Sequence, residues 1–112
     1  MYFQKVGAVM NVKFEYLYRD AGNFKNWGEV IFSNQYNLKP DRLNLIAENL
    51  FIERRYFLAN KIDIPDLHFK EYNPQLDHDW HEFHNFSLTD ETPNDLKHRN
   101  IGEFIDLLKN NT

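Results

Sequence analysis

From Val12 to Arg19, apolar and ring side chains alternate with polar ones: Val12, Phe14, Tyr16 and Tyr18 fall on one face, Lys13, Glu15 and Arg19 on the other. Leu17 is the exception. A period of two with aromatic and β-branched residues predicts a half-buried strand. Asp20-Ala21-Gly22-Asn23 is turn chemistry, and Phe24 to Gly28 extends the connection. Glu29 to Ser33 reads as a second strand, so the pair predicts an antiparallel hairpin with a long tip.

After the loop Asn34 to Lys39 the period changes. Pro40 suits a first helical position, where its missing N–H costs nothing, and Leu38 with Leu43 can form a hydrophobic staple. Apolar residues recur at Leu43, Ile46, Ala47, Leu50 and Phe51, then at Phe57 and Leu58. That spacing predicts one helix of about four to five turns with a broad buried stripe. Leu45, Ile52 and Tyr56 widen the stripe, which implies burial on two sides or a homo-oligomer contact. Ile64-Pro65-Asp66 breaks the pattern, Leu67 to Tyr72 reads as a third strand, and Asn73-Pro74-Gln75 is a turn. Trp80 to Leu88 reads as the fourth strand and Thr89 to Asn94 as a polar loop. Asn100, with Glu103 three residues on, caps a short last helix whose buried face is Ile101, Phe104, Ile105 and Leu108. The expected fold is α+β: a small antiparallel sheet of about four strands, one long helix packed on a face, and a short C-terminal helix.

A chain of 112 residues is the size of one domain, expected over 10–112. Tyr2-Phe3-Gln4 resembles the end of a tobacco-etch-protease cleavage site, so residues 1–9 read either as a vector-derived segment or as an extra N-terminal strand. Aromatic residues make up 16% of the chain; they supply much core area per residue and can also stack a planar ligand. A formal charge of −4 argues against a nucleic-acid backbone as partner, which demands a basic footprint. Arg54-Arg55 is a local basic patch. The absence of cysteine removes disulfides and thiolate metal sites and fits a reducing cytoplasm. No apolar run reaches the roughly 20 residues of a membrane span.

The densest chemistry lies at Asp77-His78-Asp79-Trp80-His81-Glu82-Phe83-His84, which holds three of the five histidines. On a strand, His78, Glu82 and His84 project to one side and His81 to the other. Two imidazoles with a carboxylate suit zinc or manganese, although no HExxH spacing is present. His68, with Asp66 beside it to orient its ring, can approach this cluster from the neighbouring strand. The same residues also suit a hydrogen-bonded structural network. The segment Arg19 to Gly28 mixes cationic, amide and ring side chains with two glycines, a composition able to hold an anionic planar ligand. A long hairpin tip over Trp27 is the plainer reading. No P-loop spacing and no GxSxG occurs, and covalent catalysis has no support.

Tyr18-Arg19-Asp20-Ala21-Gly22-Asn23-Phe24-Lys25-Asn26-Trp27-Gly28-Glu29-Val30-Ile31-Phe32-Ser33-Asn34, together with Ile64-Pro65-Asp66-Leu67-His68-Phe69 and Asp77-His78-Asp79-Trp80-His81-Glu82-Phe83, resembles a group of small bacterial and mobile-element proteins of unassigned function. The resemblance spans most of residues 12–88 and implies no activity.

Three functions follow as expectations. The first is a non-enzymatic, cytoplasmic binder of a small anionic, nucleotide-like molecule, of the kind that sequesters a signal in conflicts between bacteria and phages. It needs no cofactor, forms a homo-oligomer, and holds its ligand with Arg19, Asp20, Asn23, Lys25, Trp27, His68, Asp79, Trp80 and His81. The second is a hydrolase with zinc or manganese on His78, Glu82 and His84. The third is a protein-interaction module without ligand.

Overall fold

The computed structural model describes residues 10–111, so the readings made for residues 1–9 lie outside the described residues. Four strands, β1 (Asn11–Arg19), β2 (Lys25–Phe32), β3 (Tyr56–Leu58) and β4 (Trp80–Thr89), form one antiparallel sheet in the order β2-β1-β4-β3. Two helices, α1 (Pro40–Leu50) and α2 (Ile101–Asn110), complete an α+β fold. The alternation expected for β1 holds: Val12, Phe14, Tyr16 and Tyr18 are all buried on its inner face. Phe14 is the hub of the core, with the rings of Phe57, Phe83, Phe86 and Phe104 at centroid distances of 5.2–5.8 Å. Much of the aromatic content is therefore spent on packing.

Phe83 and Phe86 both face the core although they are three positions apart, which a regular strand cannot arrange. A bulge resolves it. Phe86 pairs with Phe14 and Phe83 with Tyr16, so the register shifts by one between Glu15 and Tyr16, leaving His84 exposed beside the shift. Because β3 is short, the outer edge of β4 beyond it lacks a strand. Helix α1 takes that place, and the Asn44 side-chain carbonyl accepts the Phe86 N–H at 2.7 Å.

Three sequence expectations are corrected. The helix from Pro40 stops at Leu50 rather than running to Leu58. Phe51 is extended, and Ile52 and Tyr56 exchange backbone hydrogen bonds of 2.8 and 3.1 Å across a tight turn. No glycine or proline marks this stop. The turn places Phe57 opposite His81 in the sheet and 4.9 Å from the Phe51 ring, so ring packing overrides the helical period. Second, the hairpin tip is shorter than expected, because Lys25 to Gly28 already belong to β2, where they pair with Arg19 to Tyr16. Third, Leu67 to Tyr72 is not a strand. Two of its backbone donors go to side chains instead, the Leu67 N–H to His81 Nε2 at 3.0 Å and the His68 N–H to Asp66 Oδ1 at 2.7 Å, and the Tyr72 N–H closes a turn on the Phe69 carbonyl at 3.1 Å. Those three N–H groups are not free for a ladder.

The inner face of the sheet is consequently covered in two different ways. The Val12 and Phe14 end lies under the helices, through Leu43, Ala47, Phe104 and Leu108. The Tyr16 and Tyr18 end lies under the irregular segment 62–79. Tyr16 donates to the Pro65 carbonyl and Tyr18 to the His78 carbonyl, both at 2.7 Å. Leu67 sits directly on Gly28, where a Cβ would come within 2.8 Å of its side chain. A glycine in mid-strand thus marks the close approach of the covering segment.

Candidate functional site

An irregular stretch as long as 62–79 is uncommon inside a compact domain, where such stretches are usually either functional loops or linkers. Here it is pinned at both ends. Asp66 holds the first turn through the His68 N–H, and Asp77 holds the second by accepting the Asn73 N–H at 2.9 Å. The other Asp77 oxygen accepts the Ala21 N–H at 2.8 Å and so ties the segment to the β1–β2 tip. These backbone donors hold the Asp77 carboxyl below its ordinary range.

Between tip and segment lies a cleft of about 430 Å³. The rings of Tyr18, Phe24, Phe69 and Tyr72 line it, with Lys25, Lys70, Asp20, Glu71 and Asp77. Asp20 spends one oxygen on the Phe24 N–H at 2.8 Å. Neither Lys25 nor Lys70 forms an ion pair among the described residues. Burial, reinforced by Asp77, pushes the Tyr18 hydroxyl up to about 12, so it stays a neutral donor. Desolvation first, and then its hydrogen bond to Asp79, also raise the Tyr72 hydroxyl.

Behind Tyr18 and Tyr72 sits a histidine cluster. The His68 ring stacks on Tyr72 at 4.3 Å and meets Tyr18 edge-on at 4.6 Å. His68 Nδ1 is 3.0 Å from Asp66 Oδ2, and His68 Nε2 is 3.4 Å from Asp79 Oδ1 but lacks a hydrogen-bond partner. His81 is 1% exposed, with Nε2 3.5 Å from Asp66 Oδ1. The Leu67 N–H donated to Nε2 places the ring proton on Nδ1, which faces the Asp79 carbonyl at 3.1 Å. Burial pushes the His81 imidazole down from its usual value, favouring the neutral form.

The residues expected at a ligand site are thus divided. Asp20 and Lys25 line the cleft, while His68, Asp79 and His81 stand behind its aromatic wall. Arg19 lies on the other face of β1, where Nε and Nη2 reach Glu82 at 2.9 and 3.3 Å and Nη1 donates to Asn23 at 2.7 Å. That guanidinium holds Glu82 below its ordinary range. Trp27 pairs with Leu17 on the same outer face and meets His84 edge-on at 5.0 Å. Trp80 borders a separate apolar groove with Ile52 and Tyr56.

The expected metal set does not converge. Glu82 and His84 share the outer face, but Glu82 is taken by Arg19, and His78 precedes β4 with Nδ1 accepting the Trp80 N–H at 3.0 Å. Asp66, His68 and His81 come together instead, with one potential ligand atom from each lying within 4.8 Å of the others. Read as strand residues, Phe69, Lys70 and Tyr72 carry no signal of a cleft. The clue lay in Asp66, whose spacing to His68 is that of an Asx turn. No known family, curated protein or solved structure matches the chain.

Proposed function

We propose that this protein is a non-enzymatic binder of a small anionic molecule with a planar, nucleotide-like part. The observation that supports this reading is the cleft itself, where neither Lys25 nor Lys70 has a carboxylate within ion-pair distance among the described residues, although Asp20, Glu71 and Asp77 also line it; Asp77 and one oxygen of Asp20 are already held by backbone donors. Exposed Phe24 and the Phe69 and Tyr72 rings offer stacking surfaces, and Lys25 and Lys70 offer charge for a phosphate or carboxylate. Trp27 and Arg19 do not line this cleft.

A thermal-shift panel of nucleotides and cyclic nucleotides tests the proposal. A ligand at a hundred times its Kd stabilises the native state by about 2.7 kcal/mol, which for a domain of this size raises Tm by about 10 °C. Lys25→Ala with Lys70→Ala removes the shift, and Trp27→Ala leaves it intact. A panel without any shift overturns the reading. The assembly that fits is a homo-oligomer, because Leu45, Ile52 and Trp80 are 56%, 55% and 37% exposed and would be covered by a second copy.

A further inference from the structure

We propose that Asp66, His68 and His81 form a binding site for a divalent transition metal of the zinc class, distinct from the cleft. The ligand types are right, two imidazoles and a carboxylate, and the spacing is close to what the ion needs. Ligand atoms about 2.0–2.1 Å from a tetrahedral zinc lie about 3.3 Å from one another. The two separations from Asp66 lie near that value, 3.5 Å from His81 Nε2 to Oδ1 and 3.0 Å from His68 Nδ1 to Oδ2, each imidazole facing a different carboxylate oxygen; one ligand atom from each residue lies within 4.8 Å of the others, so the set has to draw together somewhat on the ion.

The outer contacts point the same way. An imidazole that ligates a metal normally passes its other nitrogen to a carbonyl or carboxylate. Both acceptors are present on one residue, Asp79. His81 Nδ1 faces its main-chain carbonyl at 3.1 Å, and His68 Nε2 faces its carboxylate at 3.4 Å. Metal on His68 Nδ1 would leave the proton on Nε2, giving that orphaned nitrogen a donor role toward Asp79. Asp79 is therefore a positioning residue for both ligands.

Entry is open on one side, because the Asp66 side chain is 56% exposed while His81 is buried. Occupation displaces the Leu67 N–H from His81 Nε2, a cost of about one ordinary hydrogen bond. Structural zinc sites return far more than that. With three protein ligands, the fourth position goes to water. The ion would fasten segment 62–79 to β4 and so hold up the rear wall of the cleft.

The test is metal titration of the full chain after chelator treatment, with zinc by calorimetry and cobalt(II) by visible absorption. The expected result is uptake of one ion per chain, with the intense visible bands of four-coordinate cobalt. Asp66→Asn and His68→Gln, at positions that are not fully buried, should abolish both signals in folded protein. Asp79→Ala should weaken binding about 10- to 100-fold. His84→Ala, on the outer face, should change nothing. Absence of stoichiometric uptake overturns the site, as does uptake that survives Asp66→Asn and His68→Gln or is lost in His84→Ala. Ligand binding in the cleft is measured separately by the nucleotide panel, so either result can fail alone.

Discussion

Arg99 shows what one side chain does for this fold. Its Nε and Nη2 reach both oxygens of Asp95 at 2.8 Å, Nη1 donates to the Ile62 carbonyl at 2.9 Å, and Nη2 to the Asp63 carbonyl at 2.8 Å. The guanidinium also lies 5.1 Å from the Phe104 ring. It joins the start of the covering segment to the last helix. Arg99→Ala strands a buried carboxylate and should cost about 3 kcal/mol or more, read from the urea midpoint. Burial alone would raise the Asp95 carboxyl, but the Arg99 side chain and backbone N–H outweigh it and the net shift is downward. A carboxyl depressed by folding contributes stability above its unfolded value, near 3.9, and loses it as pH falls through the folded value. Asp95→Asn should therefore be less stable than the parent at pH 7, and the gap should close below about pH 4. A gap of constant size from pH 7 to pH 2 would mean that folding does not shift the Asp95 carboxyl. Neither residue drew attention in the sequence, because an i, i+4 Asp–Arg pair on a polar stretch looks like any surface pair.

At the scale of elements, the capping box of α2 was legible, since Asn100 and Glu103 exchange the expected hydrogen bonds at 2.8 and 2.9 Å. The end of α1 was not. Glu53 and Arg54 adopt positive φ of 50° and 70°, left-handed backbone that ordinary side chains resist. A sequence reader expects Asn-Gly there. Replacing Glu53 by Asn and Arg54 by Gly should stabilise the protein by about 1 kcal/mol or more by relieving that strain. The Arg54–Glu48 contact given up is exposed and spans 3.5 Å, so little is lost with it. Chemical denaturation measures the gain; a loss of stability would show that these two side chains hold the turn in place. Asn44 supplies a second test at this level. Asn44→Ala leaves the Phe86 N–H without its acceptor and should cost about 1–3 kcal/mol.

For the molecule as a whole, the exposed apolar positions bear on assembly. If a second copy covers Leu45, Ile52 and Trp80, light scattering at micromolar concentration should give a mass above the 13.6 kDa of one chain. Ile52→Glu should return it toward that value, and a single-chain mass for the parent at every concentration ends the proposal. No helix among the described residues is long and apolar enough to cross a membrane. Sequence alone determined β1, most of β4, the last helix and the α+β class, because a period of two, a helical stripe and a capping box are local properties. It also drew attention to Arg19 to Gly28 and to Asp66 to His84, segments that contribute to the cleft and to the histidine cluster. Tertiary structure decided the rest. The β4 bulge brings Phe83 and Phe86 to the same face, so strand parity could not say which histidines meet. Segment 62–79 gave up a ladder for hydrogen bonds to Asp66 and His81, and in doing so brought Asp66 and His68 to a buried imidazole. Those contacts join residues 13–15 positions apart, and no local period carries them.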